Sequence, residues 1–167
     1  MLQPVVRRTW APRGQTPLQE QWDRHDRLSV ISALSVSPRR RRLGLYFLIH
    51  RHNIRGEQVA PFLRLLRRHL RRRIILILDR WSVHRAAPVR RFMARHRTSV
   101  YVEWLPSYAP ELNPVEQVWN HTKYSDLPNV APPNLQELDL LVRSSIAQAR
   151  GQQQLLRSFF RTAKLRL

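Results

Sequence analysis

The fold is decided by Ile74-Ile75-Leu76-Ile77-Leu78-Asp79, in which five consecutive apolar residues end on a carboxylate. A continuous apolar run of this length predicts a fully buried β-strand, as in sheets covered on both faces. Asp79 then lies at the C-terminal tip of the strand, which is the edge where open α/β sheets bind their ligands. The run therefore predicts an α/β protein with a functional site at Asp79.

A second acidic residue follows in Trp104-Leu105-Pro106-Ser107-Tyr108-Ala109-Pro110-Glu111-Leu112-Asn113-Pro114-Val115-Glu116. Asn113 is a favourable helix N-cap and Pro114 suits the first helical position, so Glu116 falls at the third. From there it can point back toward the sheet edge that carries Asp79. A capping-box contact would account for Glu116 without catalysis, and a turn or cap would account for Asp79, so these explanations stay open from local sequence alone.

Together these residues resemble the catalytic domain of DDE transposases, in particular the bacterial insertion-sequence branch of the mariner superfamily. The shared pattern is an apolar strand ending in an acid, a His shortly after it, a Leu-Pro-x-Tyr-x-Pro-x-Leu-Asn-Pro-x-Glu segment and a Trp-x-x-x-Lys tail. The chain departs from the family at Arg80, where Asn is preferred, and at Ala109, where Ser is usual. It matches at Asp79, His84, Leu105, Pro106, Tyr108, Pro110, Leu112, Asn113, Pro114, Glu116, Trp119 and Lys123.

The resemblance implies DNA transposition, in which metal-dependent hydrolysis of a DNA phosphodiester is followed by strand transfer. Asp79 and Glu116 would be the catalytic residues and would bind two Mg²⁺ (or Mn²⁺) ions, with Asp79 bridging both. Arg80 would keep the neighbouring Asp79 ionised but would also compete with metal for its carboxylate. Supporting roles would belong to His84, Asn113, Tyr108 and Lys123.

The rest of the chain agrees with the ribonuclease-H-like α/β fold that the resemblance implies, a mixed sheet flanked by helices. Strands are predicted over 28–36 and 43–49, as an antiparallel hairpin, and over 74–79 and 99–105. Amphipathic helices are predicted over 57–72 and 88–96, and apolar stripes predict two more after residue 134. We expect a partial catalytic domain over residues 1–125 and C-terminal helices packing on it over 126–167.

In the family, a first catalytic Asp ends a central strand shortly upstream of a Trp-Ala-Pro-x-Gly segment, which this sequence carries from Trp10 to Gly14. No acidic residue stands between Met1 and Trp10. We therefore expect most of the first strand and the first acid of the triad to be absent, through decay, a wrongly assigned start or ribosomal frameshifting. On that expectation the chain is inactive alone and marginally stable, because buried backbone groups would lack partners.

The composition independently indicates a polyanionic partner. The 167 residues carry a net charge of +19, and Lys123 and Lys164 are the only lysines, so 28 of the 30 basic residues are arginine. Arginine binds phosphate bidentately, and phosphate contacts release counterions. A GC-rich genome would explain arginine over lysine, but not the surplus charge. Either solvated faces or DNA contacts would account for Arg39, Arg40, Arg41, Arg42, Arg67, Arg68, Arg71 and Arg80.

The predicted partners are DNA at the element ends and the target, the product of an upstream reading frame, and a second copy in a homodimer. Two other functions stay open: a non-catalytic basic nucleic-acid-binding remnant, and another ribonuclease-H-like nuclease acting on RNA, against which the long motif argues. The absence of cysteine excludes disulfides and Cys-ligated zinc. With no apolar run near ~20 residues and no signal-peptide pattern, we expect a cytoplasmic, nucleoid-associated bacterial protein without membrane contact.

Overall fold

The computed structural model describes residues 10–15 and 27–167. Two 3₁₀ turns, at 82–85 and 110–112, and a π-helical turn, Thr122–Asp126, connect the regular elements. The four strands and two helices for which ends are predicted are confirmed to within two residues, and two helices follow residue 134 as predicted. In chain order the elements are β1 Ser29–Val36, β2 Leu43–His50, α1 Gly56–Leu70, β3 Ile74–Leu78, α2 Ala87–Arg95, β4 Val100–Trp104, α3 Pro114–His121, α4 Leu135–Gly151 and α5 Gln153–Thr162.

β1 and β2 form an antiparallel hairpin in which Ser29 stands opposite His50. Successive strand side chains point to opposite faces, so each strand contributes to two cores. Leu43 and Leu45 share a core with α3, α4 and α5. Ile31 and Leu48 belong to a second core with α1, α2, β3 and β4. The hairpin is thus a layer between two helical layers.

β3 and β4 form a parallel pair, with Ile74 opposite Val100 and Leu78 opposite Trp104. Within residues 27–167, this pair and the hairpin are separate two-stranded sheets, and no strand bridges β1 to β3. The segment between Met1 and Trp10, on which the expected loss of the first strand depends, lies almost wholly outside the described residues.

The prediction that the 74–78 run is buried on both faces is wrong. Leu76 and Leu78 are buried with α1 and α2, but Ile75 and Ile77 are 70% and 60% exposed. The exposed face continues onto β4, where half-exposed Tyr101 stands opposite Ile75. The physical reason is that α4 and α5 pack on β2, so described helices cover only one face of the β3–β4 pair.

The C-terminal helices share the core of the hairpin. Val142, Ile146 and Leu156 are completely buried there. Gln153, the first residue of α5, makes two hydrogen bonds with the backbone of Leu43: its Oε1 accepts from the N–H and its Nε2 donates to the carbonyl, both at 2.9 Å. The boundary at residue 125 stays a prediction. No helix in the described part of the chain is long and apolar enough to cross a membrane.

Truncating Ile146 to Ala should lower the free energy of unfolding by about 2–5 kcal/mol, because a completely buried side chain leaves a cavity when it is shortened. Leu140→Ala in the same helix is the matched control. Leu140 is 54% exposed, so its truncation should change the free energy by less than about 0.5 kcal/mol. Urea unfolding followed by circular dichroism measures both; equal losses would contradict a core shared by α4 and the hairpin.

Candidate metal-binding active site

Asp79 directly follows β3, and one of its carboxylate oxygens is held by two donors. The backbone N–H of Trp81 donates to Oδ1 at 3.1 Å, and Nδ1 of His84 lies 2.8 Å from the same oxygen. The hydrogen bond from His84 lowers the pKa of Asp79 most; burial opposes it, and the Trp81 N–H and the His84 charge lower the pKa further. Asp79 is therefore a stable carboxylate whose Oδ2 accepts no hydrogen bond from the described residues.

His84 is turned toward Asp79 and away from solvent. Its Nδ1 also lies 3.3 Å from the Asp79 carbonyl oxygen, and because both neighbours are acceptors, Nδ1 must carry a proton. The imidazole packs edge-on against Trp81, with ring centroids 5.7 Å apart. The side chain of His84 is only 14% exposed, against 39% for Asp79. The largely buried His84 side chain thus orients the Asp79 carboxylate.

Glu116 lies in the first turn of α3, and the capping-box explanation for it is wrong. Asn113 is the N-cap, as predicted, and its Oδ1 accepts from the N–H of Val115 at 3.1 Å. The N–H of Asn113 donates to the Pro110 carbonyl at 3.0 Å, which leaves it unavailable to the Glu116 side chain. The Glu116 carboxylate has no hydrogen bond or ion pair with any described residue.

The charge of Asp79 affects the ionisation of Glu116. Burial raises the pKa of Glu116, and the negative charge of Asp79 raises it further. Asp79, which follows β3, and Glu116, at the start of α3, are therefore electrostatically coupled, and their convergence on one metal site stays a prediction.

The donor set fits a hard divalent cation. Oδ2 of Asp79 and both oxygens of Glu116 are uncommitted among the described residues. Mg²⁺ is commonly held by one or two carboxylates together with waters and substrate phosphates. Across 10–15 and 27–167, no cluster of three or more His, Cys, Asp or Glu side chains is placed to hold a metal ion. That Asp79 and Glu116 bind the same ion therefore stays a prediction.

Arg80 does not contact Asp79. Its Nε donates to the Leu105 carbonyl at 3.1 Å, which ties the end of β3 to the segment after β4. The expected competition between this guanidinium and a metal for the Asp79 carboxylate is therefore not present in the structure. The side chain is exposed at the edge of the site.

The other predicted supporting residues are more dispersed. Tyr108 adopts a left-handed backbone conformation, with φ of 56°, and its side chain is fully exposed. Lys123 lies in the π-helical turn, with Nζ 5.3 Å from the ring centroid of Tyr124. Trp119 packs, partly buried, against the core of α4 and α5.

A buried polar network fixes the end of α3. The Ser145 hydroxyl of α4 lies 2.6 Å from Asp126 Oδ2 and 3.0 Å from the Thr122 hydroxyl. His121 Nε2 lies 3.3 Å from the other oxygen of Asp126. Because buried polar groups are costly when unpaired, this network holds the π-helical turn on α4. It thereby fixes the axis of the helix that carries Glu116.

Most of the predicted DNA-contacting arginines lie away from the carboxylates. Arg67, Arg68 and Arg71 are at the C-terminal end of α1, and β3 begins three residues after Arg71. Asp79 is beyond the opposite end of that five-residue strand, roughly 16 Å along it. Arg67 is half-buried, and its Nε has no hydrogen-bond partner among the described residues.

The hairpin tip that carries Arg39, Arg40, Arg41 and Arg42 is also distant. β2 runs from this tip toward the start of α1, where Gly56 lies against Ala86, just beyond the 3₁₀ turn that follows Asp79. The tip is therefore at the far end of the hairpin. Arg157 of α5 fixes it there by donating to the carbonyls of Arg40 and Arg41, both at 3.1 Å.

Sequence reasoning missed Trp81, which both donates to Asp79 and packs on His84. A signal was present, since Asp side chains commonly accept from the N–H two residues further on. Such turns are frequent, and the sequence alone does not distinguish one that supports a site.

The family described as DDE superfamily endonuclease matches residues 1–139. The chain belongs to this family. Three similar solved structures are the Mos1 strand transfer complex, the Mos1 transposase paired-end complex with left transposon end, and the Mos1 mariner paired-end complex with Mn. Each has a TM-score of 0.62 and 14% sequence identity, over 98% of this chain and 48% of the Mos1 chain. No match was found among curated protein sequences.

This DDE superfamily member therefore spans about half the length of the Mos1 chains it resembles. At that identity the similarity shows the fold, and it confirms the ribonuclease-H-like α/β class. The family match covers every residue of the Asp79–Glu116 site.

Replacing Glu116 by Gln should raise the thermal midpoint near neutral pH in EDTA. Burial and Asp79 raise the folded-state pKa of Glu116, so the folded protein binds more protons than the unfolded chain between the two pKa values. Stability then falls as pH rises through that window. Since the carboxylate is half exposed, the gain should be less than about 4 °C. It should vanish at about pH 3, where the acid is neutral in both states.

Glu111→Gln in the preceding 3₁₀ turn is the matched control, because that side chain is exposed and outside the carboxylate pair. It should leave the midpoint unchanged at both pH values. A lower midpoint for Glu116→Gln at neutral pH would contradict the repulsion between the two carboxylates.

Proposed function

We propose that this chain supplies two metal-binding carboxylates, Asp79 and Glu116, to the DNA strand-cleavage site of a DDE transposase. The observation that carries the proposal is the pair itself: Asp79 at the end of β3 and Glu116 at the start of α3 interact electrostatically, and neither is paired with an arginine or lysine among the described residues. Membership of the DDE superfamily endonucleases supports it. The reaction class is hydrolysis of a DNA phosphodiester, followed by strand transfer.

When bound, a divalent cation neutralises charge on the phosphodiester and activates the attacking oxygen. The protein's part is to present oxygen ligands in fixed positions. His84 and Trp81 restrain Asp79 through Oδ1, so that Oδ2 is presented. Because the pKa of Glu116 is raised, protons compete more strongly with a cation for this carboxylate.

Mg²⁺ or Mn²⁺ is the proposed cofactor, and DNA of the element ends and target is the proposed substrate. The donor chemistry, all carboxylate oxygen, suits these hard cations. The Mos1 complexes include one with Mn and one with a left transposon end. The net charge of +19 supports a polyanionic substrate for this chain as well.

A second function, DNA binding without cleavage, is favoured by the position of the arginines. Among the predicted contacts, only Arg80 borders the carboxylates. The hairpin tip lies at the end of the hairpin away from them, and the C-terminal end of α1 lies at the start of β3, opposite Asp79. We propose that these outer arginines bind DNA backbone independently of the metal site. Binding of this kind is sequence-independent and weakens steeply with salt.

Titration with Mn²⁺ in a calorimeter tests the metal site. Wild-type protein should bind Mn²⁺, and binding should weaken as pH falls through the raised pKa of Glu116, because the proton competes with the cation. Asp79→Asn and Glu116→Gln should each weaken binding by about tenfold or more. Glu111→Gln, the exposed control, should bind like wild type. Equal affinity in all four proteins would refute the proposed site.

Cleavage is tested by nicking of a supercoiled plasmid that carries an element end, in Mg²⁺ or Mn²⁺. No cluster of three or more acidic or histidine ligands is present among the described residues, so we expect no nicking by this chain alone. Activity that appears on adding an upstream-frame product would identify the source of a third ligand. Nicking by the isolated chain that Asp79→Ala abolishes would contradict the expected inactivity while supporting the site.

Salt-dependent retention of DNA distinguishes the second function. Asp79→Ala and Glu116→Ala should leave filter retention unchanged, whereas Arg39→Ala with Arg41→Ala at the hairpin tip should reduce it and lower the salt slope by up to about two. Arg90→Ala with Arg91→Ala on α2 removes the same charge elsewhere and is the control. Equal effects of both arginine pairs would indicate net charge alone.

A further inference from the structure

The outer edge of β2 presents backbone groups that no described strand meets. The Ser37 N–H donates to the Arg42 carbonyl at 2.9 Å, which makes these two residues a hydrogen-bonded pair at the hairpin turn. Hydrogen-bonded and non-hydrogen-bonded pairs alternate along an antiparallel ladder. Counted from the turn, the N–H and C=O groups of Leu43, Leu45 and Phe47 therefore point away from β1.

The first of these three positions is already satisfied by a side chain. Gln153 both accepts from the Leu43 N–H and donates to the Leu43 carbonyl, at 2.9 Å each. A carboxamide carries the same donor and acceptor as a peptide group, so Gln153 takes the place that a neighbouring strand would occupy. Leu45 and Phe47 have no corresponding partner among the described residues.

A groove of about 730 Å³ runs along these two positions. Its apolar lining comes from β2 and from α1, where Leu65 is 53% exposed. Arg68 and Arg71 of α1 border it, together with Arg150 of α4, whose guanidinium carbon lies 5.3 Å from the ring centroid of Phe47. An uncovered strand edge beside apolar pockets is the arrangement that binds an extended peptide as an added strand.

We propose that this edge is a docking site for an extended acidic segment of a different protein, which adds to the hairpin as a third strand beside β2. No acidic residue lines the groove, so three arginines favour a negatively charged occupant. The 11 acidic residues of this chain are scattered, with no two consecutive. In a second copy, pairing β2 with β2 would bring like arginines together. The proposal does not rest on the metal site.

Single-stranded nucleic acid matches the charge of the groove but not its backbone pattern. A deoxyribose–phosphate backbone offers acceptors only, and the donors of RNA hydroxyls and of bases do not alternate with acceptors at strand spacing opposite the outward groups of Leu45 and Phe47. A peptide strand supplies alternating donors and acceptors at the required spacing, and its alternate side chains would enter the apolar lining.

The test uses the full chain and the fluorescent peptide Glu-Val-Glu-Ile-Glu-Val, about one strand in length. Two further peptides are N-methylated, one on the Glu residues and one on the Val and Ile residues. Only alternate N–H groups of an added strand face its neighbour, so one of the two should lose binding by about tenfold or more and the other should bind like the parent. Binding by charge alone would be indifferent to both.

Arg68→Glu with Arg150→Glu reverses the charge on both sides of the groove and should weaken peptide binding by about tenfold or more. Arg90→Glu with Arg91→Glu on α2 changes the net charge equally, at exposed positions outside the groove, and should have little effect. Thermal melts establish that both variants fold. No binding of the parent peptide, or equal binding of both methylated peptides, would overturn the proposal. Displacement of the parent peptide by oligo-dT without loss on methylation would indicate a nucleic-acid site in its place.

Discussion

Repulsion between two carboxylates is the constraint on which the arrangement of this molecule depends. Asp79 and Glu116 are held close enough for the charge of one to raise the pKa of the other, although both are half-buried. The two carboxylates differ in their partners: His84 and Trp81 stabilise the charge on Asp79, whereas no described residue stabilises the charge on Glu116. A fold tolerates such a pair only if its supports are rigid, and a cation placed between the two acids would turn the repulsion into attraction.

The supports come from both helical layers around the hairpin. In one layer α1 packs against the turn after Asp79, and in the other α3, which carries Glu116, packs on β1 and α5. On the second side, the Asn113 cap fixes the start of α3, and the network around Ser145 fixes its end. Because β1 and β2 contribute side chains to both cores, the hairpin joins the layer of α1 to the layer of α3 without contributing either carboxylate.

Periodicity in the sequence was enough to place every described element, Asp79 at a strand tip and Glu116 in a first helical turn, because these features depend on neighbours in the chain. What it could not supply depends on contacts between distant segments. The apolar run at 74–78 has the same sequence pattern whether one face of the strand or both faces are covered. It therefore does not predict the exposure of Ile75 and Ile77. The capping-box interpretation of Glu116 failed because the Asn113 N–H is taken by Pro110, a contact set by the geometry of the loop.

The position of the arginines gives the strongest reason to regard the carboxylate pair as a cation site. The chain has 30 basic residues for 11 acidic ones, so an arginine could readily have neutralised either acid. Neither Asp79 nor Glu116 has such a partner among the described residues: Arg80, the nearest in sequence, is turned to the Leu105 carbonyl, and the ionisation of Asp79 is supported by a histidine and a backbone N–H. A guanidinium here would satisfy the acids permanently and displace a metal. Among the described residues no arginine neutralises either acid, which supports the proposal that the pair binds an exchangeable cation.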